Sequence, residues 1–364
     1  MIQQQRDDIS ELERLISIRI IYEDAETIYS LLSSERDSIF TMEIIPYYAL
    51  FVQSCQEYLG KNLLPKEIAL NIKDIRNHIK AYAESFGKTK RKVALIDQEQ
   101  DMNFKSKLRF DFLKDWNIHL NLGTYWTEDH HIIGNTQQLA AFIGAKDLSD
   151  SRVSKKQYDL GYQIGAFVSS VHSGFSASFG QPVVARAATA ITITNYYDIN
   201  TNKHNVLFVD NASKERNLFY LHLLCNMNFV KHILRRLFLD GNMWVFRVEY
   251  IVTYYTFRAL LRLKNYNENN RDIAIDIGGI KDLEEAENNI FCSKLRNCMM
   301  HYNLENQNVV SLEHIECPFF GIIENCFDGR DYNSYLKALH SLSDKIIAFL
   351  EKHFNCSDIE LKHL

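Results

Sequence analysis

Hydrophobic residues along much of this chain recur at intervals of three and four, which places them on one face of an α-helix. In residues 9–86 this spacing predicts three helices, with Pro46 and Pro65 where the second and third begin. Residues 158–173 show the same period. The chain has only 4 Pro and 14 Gly in 364 residues. Because both residues are disfavoured inside helices, we expect a mainly α fold.

After residue 213 the predicted helices become longer and more apolar. Ser213 is placed to cap the first of them, which ends near Asp240-Gly241. The rest of this half contains a second helix at residues 242–264, a polar loop at 265–270 and a short connection at 272–279. A third helix at 284–303 and an amphipathic last helix at 335–354 follow. Together these segments predict a bundle of about four helices.

Between the two halves the hydrophobic pattern changes. Residues 189–210 are rich in Thr, Ile and Val and predict a β-hairpin around a polar turn at 200–205. Residues 87–93, GKTKRKV, predict an exposed basic connector, with contact to an RNA backbone as the alternative. The predicted organisation is an N-terminal helical domain at residues 1–86, a connector with a middle region at 87–212, and a C-terminal helical bundle at 213–364.

Composition narrows the class of protein. A formal net charge of −5 and a pI near 6.2 argue against a protein that coats nucleic acid through bulk charge, and leave room only for a local basic groove. The seven cysteines contain no CxxC pair, and the N-terminus lacks the apolar segment of a signal peptide. No apolar run of membrane-spanning length is free of charge. We therefore expect a cytoplasmic protein with reduced thiols and no membrane contact.

Residues 97–150 are the hardest part of the chain to interpret. They contain Trp116, Trp126 and the run Glu128-Asp129-His130-His131, whose adjacent histidines could suggest a metal site. No third ligand accompanies them at helical or turn spacing. We therefore predict exposed side chains here and no metal.

The side chains most able to take part in a chemical reaction lie in the predicted helix at 284–303. On an ideal helix one sector of about 100° forms a buried stripe, made of Phe291, Leu295, Cys298, Met299 and Tyr302. Arg296, Asn297, Met300 and His301 fall on the opposite side. Arg is a fixed cation whose donors suit a phosphate, and His exchanges protons near neutral pH. This face predicts phosphodiester cleavage, the ordinary alternative being a solvated helix surface.

The pattern Arg296-Asn297-x-x-x-His301 within a late helix resembles the signature of the HEPN family (higher eukaryotes and prokaryotes nucleotide-binding domain). The resemblance covers roughly residues 213–354 and implies a HEPN-like helical bundle. It further implies a homodimer in which two motifs form one composite RNase site that needs no metal or other cofactor. Arg296 and His301 are then catalytic. Asn297 lies one helical turn before His301 and is placed to orient the imidazole or bind the phosphate, the alternative being a purely structural role. The resemblance also suggests a stress or phage-defence RNase of toxin type, with a regulatory or antitoxin protein as a partner.

Two sets of residues are assigned to partners. Met300 is apolar and lies on the predicted outward face, so we place it in the dimer interface, the alternative being an isolated surface methionine. Arg258, Arg262 and Lys264 are predicted to bind RNA, the alternative being solubility and pairing within their helix.

Part of the motif occurs a second time in the sequence, and the sequence also allows an alternative function. Arg76-Asn77-His78 repeats the start of the motif without the later His, and we interpret it as exposed helix surface. The competing function is a non-catalytic helical module that binds nucleotide, RNA or a regulatory protein through the same polar face.

Overall fold

The computed structural model describes residues 2–33, 43–60, 63–108, 119–145, 148, 150–180, 193–202, 207–209, 213–270, 275–305 and 307–356. Within these ranges the chain forms twelve helices and a small three-stranded antiparallel sheet. The prediction of a mainly α fold is confirmed.

The N-terminal section contains the three predicted helices. They are α1 Ile2–Leu32, α2 Ile45–Leu59 and α3 Lys66–Asn77, the last continued by a 3₁₀ turn at His78–Lys80. Pro46 lies in the first turn of α2 and Pro65 directly precedes α3, as predicted, because a proline needs no amide donor at a helix start.

The basic run at 87–93 is not a connector. It forms the first turns of α4, Phe86–Ser106. Lys and Arg are good helix formers, and Thr89 and Val93 are buried against the rest of the protein. Tertiary packing therefore extends a helix through a segment whose charges suggested a linker.

The sheet has a different topology from the predicted hairpin. Its strands are β1 Leu122–Thr127, β2 Ile132–Asn135 and β3 Ile193–Ile199, in the order β2-β1-β3. The strand predicted near residue 193 exists, but its partner is β1, from a region with no clear pattern. Of its predicted partner, residues 203–206 and 210 lie outside the described residues, and the described residues 207–209 contribute an isolated bridge between Phe208 and Phe354. A long-range pairing has replaced the local hairpin.

The acidic and histidine run at 128–131 forms the turn between β1 and β2. Glu128, Asp129 and His130 are exposed as predicted, whereas His131 is half-buried and stacks on His232 with ring centroids 3.7 Å apart. Trp116 lies outside the described residues. Two further helices flank the sheet in sequence, α5 Thr136–Ile143 and α6 Ser151–Phe179, and α6 packs along α1.

The C-terminal half is mainly helical in its described parts, apart from an irregular stretch that begins at residue 301 and ends at residue 317. It contains α7 Lys214–Phe229, extended by a π-helical turn at Val230–Leu234, then α8 Met243–Asn270, α9 Ile277–Glu287, α10 Ser293–Met300, α11 Ile322–Cys326 and α12 Tyr332–Glu351. The predicted cap of α7 is confirmed, since the Ser213 side chain accepts a hydrogen bond from the Arg216 backbone N–H.

The loop predicted at 265–270 is wrong, because α8 continues through it. Tyr266 packs edge-on against Phe86 of α4, with ring centroids 5.1 Å apart. Asn269 and Asn270 each donate a side-chain hydrogen bond to the carbonyl four residues earlier. Contact with α4 outweighs the low helix propensity of asparagine.

The predicted helix at 284–303 is two helices. Helix α9 ends at Glu287, and Asn288 and Asn289 then adopt positive φ angles of 22° and 61°. Asparagine tolerates this region better than most residues, so the pair forms a turn. The second helix, α10, has only eight residues and ends before His301, whose backbone is extended.

The hydrophobic core is shared by the N-terminal, middle and C-terminal parts of the chain. Helix α8 packs against α1, α4, α7, α9, α10 and α12. Within the described residues, no helix has both the length and the apolarity needed to cross a membrane.

Candidate functional site

The candidate site lies at the carboxyl end of α10, which is held by side chains from other helices. The last carbonyls of a helix have no partners within it. Here Arg247 of α8 donates from one terminal nitrogen to the Cys298 and Met299 carbonyls, at 2.7 and 2.9 Å. Its Nε donates to Asp24 of α1 at 2.8 Å, and all of these groups are buried. A buried guanidinium therefore links α1, α8 and α10.

Helix α2 holds the next carbonyl. The Ser54 hydroxyl donates to the Met300 carbonyl at 2.9 Å, and the His301 N–H donates to the Asn297 carbonyl at 2.9 Å. After the helix, the Tyr302 hydroxyl donates to Asp24 at 2.7 Å. With both sides of His301 anchored in this way, its position is fixed by α1, α2 and α8 as well as by its own helix.

The predicted division of faces on α10 holds with one exception. Leu295, Cys298, Met299 and Tyr302 are buried as predicted, and Phe291 is half-buried in the turn before α10. Arg296 and Asn297 are half-buried, and the His301 side chain is 47% exposed.

Met300 is the exception, with only 4% of its surface exposed. It is packed near Tyr47, Leu50 and Trp244 because α2 covers this end of α10. The outward-facing position predicted for Met300 is wrong, and the reason for placing it in a dimer interface no longer holds.

Two cations from α3 and its 3₁₀ turn join the motif. The charges of Arg76, Lys80 and Arg296 all act on the His301 imidazole, and those of Arg76 and Arg296 act on the Lys80 ammonium. Within the described ranges none of the three forms an ion pair with a carboxylate. Arg76 also has a buried Nε without a partner there. Like charges that act on one another are costly unless an anion neutralises them, so the cluster is suited to bind a phosphate.

The same cluster changes the protonation of two groups. The pKa of His301 is lowered, mainly by burial and next by Arg76, while Glu57 opposes the shift. The Glu57 Oε2 atom lies 3.7 Å from His301 Nδ1. The pKa of Lys80 is lowered by burial first and then by Arg76 and Arg296. Both side chains are therefore closer to giving up a proton near neutral pH than free His or Lys.

A polar cleft of about 690 Å³ opens beside His301. Its walls come from α1, α2, α10 and the segment after α10, and include Arg14, Glu57, Tyr58, Asn297, Asn303, Glu305 and Gln307. Asn297 lies between the cleft and the cations, because its Oδ1 accepts from Arg296 at 2.7 Å. Its side-chain amide also carries an NH₂ group that can donate to a ligand in the cleft.

The predicted RNA-binding strip on α8 is only partly available. Lys264 is paired with Glu284 of α9. Arg258 and Arg262 are exposed, and in the described structure they form no ion pair with a carboxylate. They follow Tyr255 on one face of the helix, and the charges of Arg296 and Arg76 act on the Tyr255 hydroxyl. The two arginines thus extend the cationic cluster along α8, whereas Lys264 stabilises contact between helices.

Sequence reasoning missed the contribution of α3. The run Arg76-Asn77-His78 was interpreted as exposed surface, but Arg76 is half-buried beside His301. His78 is also half-buried, and its pKa is lowered to about 4 by burial and by Lys92. The one signal in the sequence was a pair of cations, Arg76 and Lys80, one helical turn apart.

Among the described residues, no group of three or more His, Cys, Asp or Glu side chains is arranged to hold a metal ion. Comparisons of the chain with protein-family models, with curated proteins and with solved structures find no match.

Proposed function

We propose that this protein is an endoribonuclease that cleaves RNA without a metal ion, at the site formed by the end of α10 and by α3. The observation that carries the proposal is the cluster of Arg76, Lys80 and Arg296 around His301. It combines a phosphate-binding charge with a side chain able to move a proton. The resemblance of the α10 motif to the HEPN signature points to the same chemistry.

The three cations would bind the phosphate that is to be cleaved. Arg296 is held by the Asn297 amide, which fixes the direction of its guanidinium. Charge grows on the phosphoryl oxygens as the reaction proceeds, and positioned cations stabilise that charge most strongly in the transition state. Arg258 and Arg262 would contact neighbouring phosphates through exposed positions on α8.

The RNA supplies its own nucleophile. His301 takes the proton of the 2′-hydroxyl, whose oxygen attacks the adjacent phosphorus, and the bond from phosphorus to the 5′ oxygen breaks. A lowered pKa keeps the imidazole neutral and able to accept that proton. The products are a 2′,3′-cyclic phosphate and a 5′-hydroxyl. Such acid–base assistance contributes roughly 10² to 10⁴ in rate.

The proton for the departing 5′ oxygen comes from Lys80 in this mechanism. Its pKa is lowered by burial and by the neighbouring arginines, which makes the ammonium a better acid. One chain then carries both the base and the acid. The alternative arrangement is a homodimer in which a second His301 supplies the proton. Cleavage at a concentration where sedimentation finds a single chain supports the first arrangement, and cleavage by the dimer alone supports the second.

The test of function is incubation of the purified chain with total RNA in EDTA, in parallel with His301→Ala. We expect cleavage by the wild type, fragments ending in 2′,3′-cyclic phosphate, and no cleavage by the variant. Cleavage that EDTA abolishes would contradict the mechanism. If neither form cleaves RNA but both bind it, the chain is the competing non-catalytic binding module.

A further inference from the structure

The cleft beside His301 has a charge opposite to that of the phosphate site. The charges of Arg76, Lys80 and Arg296 act on the imidazole, whereas Glu57, Glu305 and one arginine, Arg14, line the cleft. A nucleotide has the same asymmetry, with an anionic phosphate at one end and a base carrying N–H donors at the other. A volume of about 690 Å³ lies within the range of small-molecule sites.

The two carboxylates differ in how far they are already engaged. Glu57 accepts from Gln53 at 2.7 Å through one oxygen and approaches His301 with the other. Arg14 donates to Glu11 from Nε at 2.8 Å, and its charge also acts on Glu305 without forming an ion pair with it. Glu305 interacts with the hydroxyl of Tyr58 and, within the described residues, forms no ion pair with a cation. Glu305 is therefore the carboxylate with most acceptor capacity left for a ligand.

We propose that the cleft is a nucleobase pocket that selects guanine, with Glu305 as its specificity-determining residue. This inference rests on the proposed function. Guanine presents two adjacent N–H donors, on N1 and the exocyclic N2, which match the two oxygens of one carboxylate. Adenine, cytosine and uracil lack this adjacent pair.

The other cleft residues suit the rest of the base. Guanine has acceptors at O6 and N7, and the side-chain amides of Asn303 and Gln307 supply NH₂ donors in the cleft. Tyr58 is half-buried in the wall and offers an aromatic ring on which a base can stack. The cleft therefore holds a carboxylate, amide donors and an aromatic ring together.

The experiment is titration of the full chain with the 3′-monophosphates of guanosine, adenosine, cytidine and uridine, followed by calorimetry in EDTA. The guanosine nucleotide should bind at least about tenfold more tightly than the others, and Glu305→Gln should remove about tenfold of its affinity. The control is Glu313→Gln, an exposed change outside the cleft. Equal binding of the nucleotides, no binding of any of them, or unchanged guanosine affinity in Glu305→Gln would overturn the inference.

Sequencing of fragments from the cleavage reaction separates this inference from the function on which it rests. Cleavage with no guanine preference at the cut site overturns the guanine pocket and leaves the ribonuclease in place. Guanosine binding that depends on Glu305, in a protein that cleaves no RNA, overturns the ribonuclease and leaves the pocket.

Discussion

Arg247 on α8 and Asp24 on α1 form a buried ion pair, with 2.8 Å between Nε and Oδ2. The same guanidinium holds the end of α10 through the Cys298 and Met299 carbonyls, and Asp24 holds Tyr302. The pair therefore connects the N-terminal helices to the segment that carries His301.

The first prediction concerns this pair. Arg247→Met should lower the free energy of unfolding by about 3 to 5 kcal/mol, because it leaves the buried Asp24 carboxylate without its cation. Denaturant unfolding measures the change. Arg262→Met, exposed on the same helix, is the matched control and should stay within about 0.5 kcal/mol of wild type. Equal changes in the free energy of unfolding from the two variants would mean that the buried ion pair does not stabilise the fold.

The second prediction separates the faces of α10. Leu295 is fully buried, so Leu295→Ala should cost about 2 to 5 kcal/mol of stability. His301→Ala should leave the melting temperature nearly unchanged, since that side chain is 47% exposed. Thermal melts of the two variants check this. A His301→Ala variant as unstable as Leu295→Ala would show that the imidazole is structural.

The third prediction is the pH dependence of cleavage. His301 acts as a base only when neutral, so the rate should rise with pH through a pKa below the usual 6.5. Lys80 acts as an acid only when charged, so the rate should fall again through a pKa below 10.5. The charges of Arg76 and Arg296 contribute to this low pKa of His301, whereas the charge of Glu57 raises it.

The control is Lys80→Gln, which should reduce the rate and remove the alkaline fall. A profile with the same alkaline fall in Lys80→Gln would show that another group donates the proton. A fall near or below pH 6.5 in both proteins would favour a second His301 in a dimer as the acid.

The fourth prediction concerns stability and a buried carboxylate outside the site. Burial raises the pKa of Glu43 to about 8, although it accepts from the Asn135 N–H at 3.2 Å. Between the usual 4.5 and about 8, the folded protein holds a proton that the unfolded chain lacks. The contribution of this proton to the stability of the folded protein is complete below pH 4.5 and is lost as the pH rises through about 8.

Glu43→Gln cannot ionise, so its stability relative to wild type should increase from acidic to alkaline pH. Denaturant unfolding at several pH values measures the difference. A constant difference would mean that Glu43 is ionised in the folded protein throughout this range.

The sequence predicted what depends on local periodicity. The buried positions of Leu295, Cys298 and Met299, and the start of α7 at Ser213, follow from helical spacing and from a capping side chain. These features require only neighbours within a few residues.

The features that could not be predicted depend on contacts between distant segments. Strand β3 pairs with β1 rather than with the segment that follows it, and α2 covers Met300. The charge of Arg76 acts on His301 although the two residues are far apart in the sequence. The hydrophobic periodicity of one segment carries no information about its contacts with distant segments.

The most direct test of the central claim compares cleavage of one RNA in EDTA by wild type, Arg76→Ala and Lys73→Ala. Both substitutions remove a cation from α3, but Lys73 is exposed and its charge is not among the main ones acting on His301. Arg76→Ala should reduce the rate at least about 100-fold, as expected when a transition-state donor is lost. Lys73→Ala should cleave like wild type. No cleavage by the wild type, or equal rates for the two variants, would contradict the account.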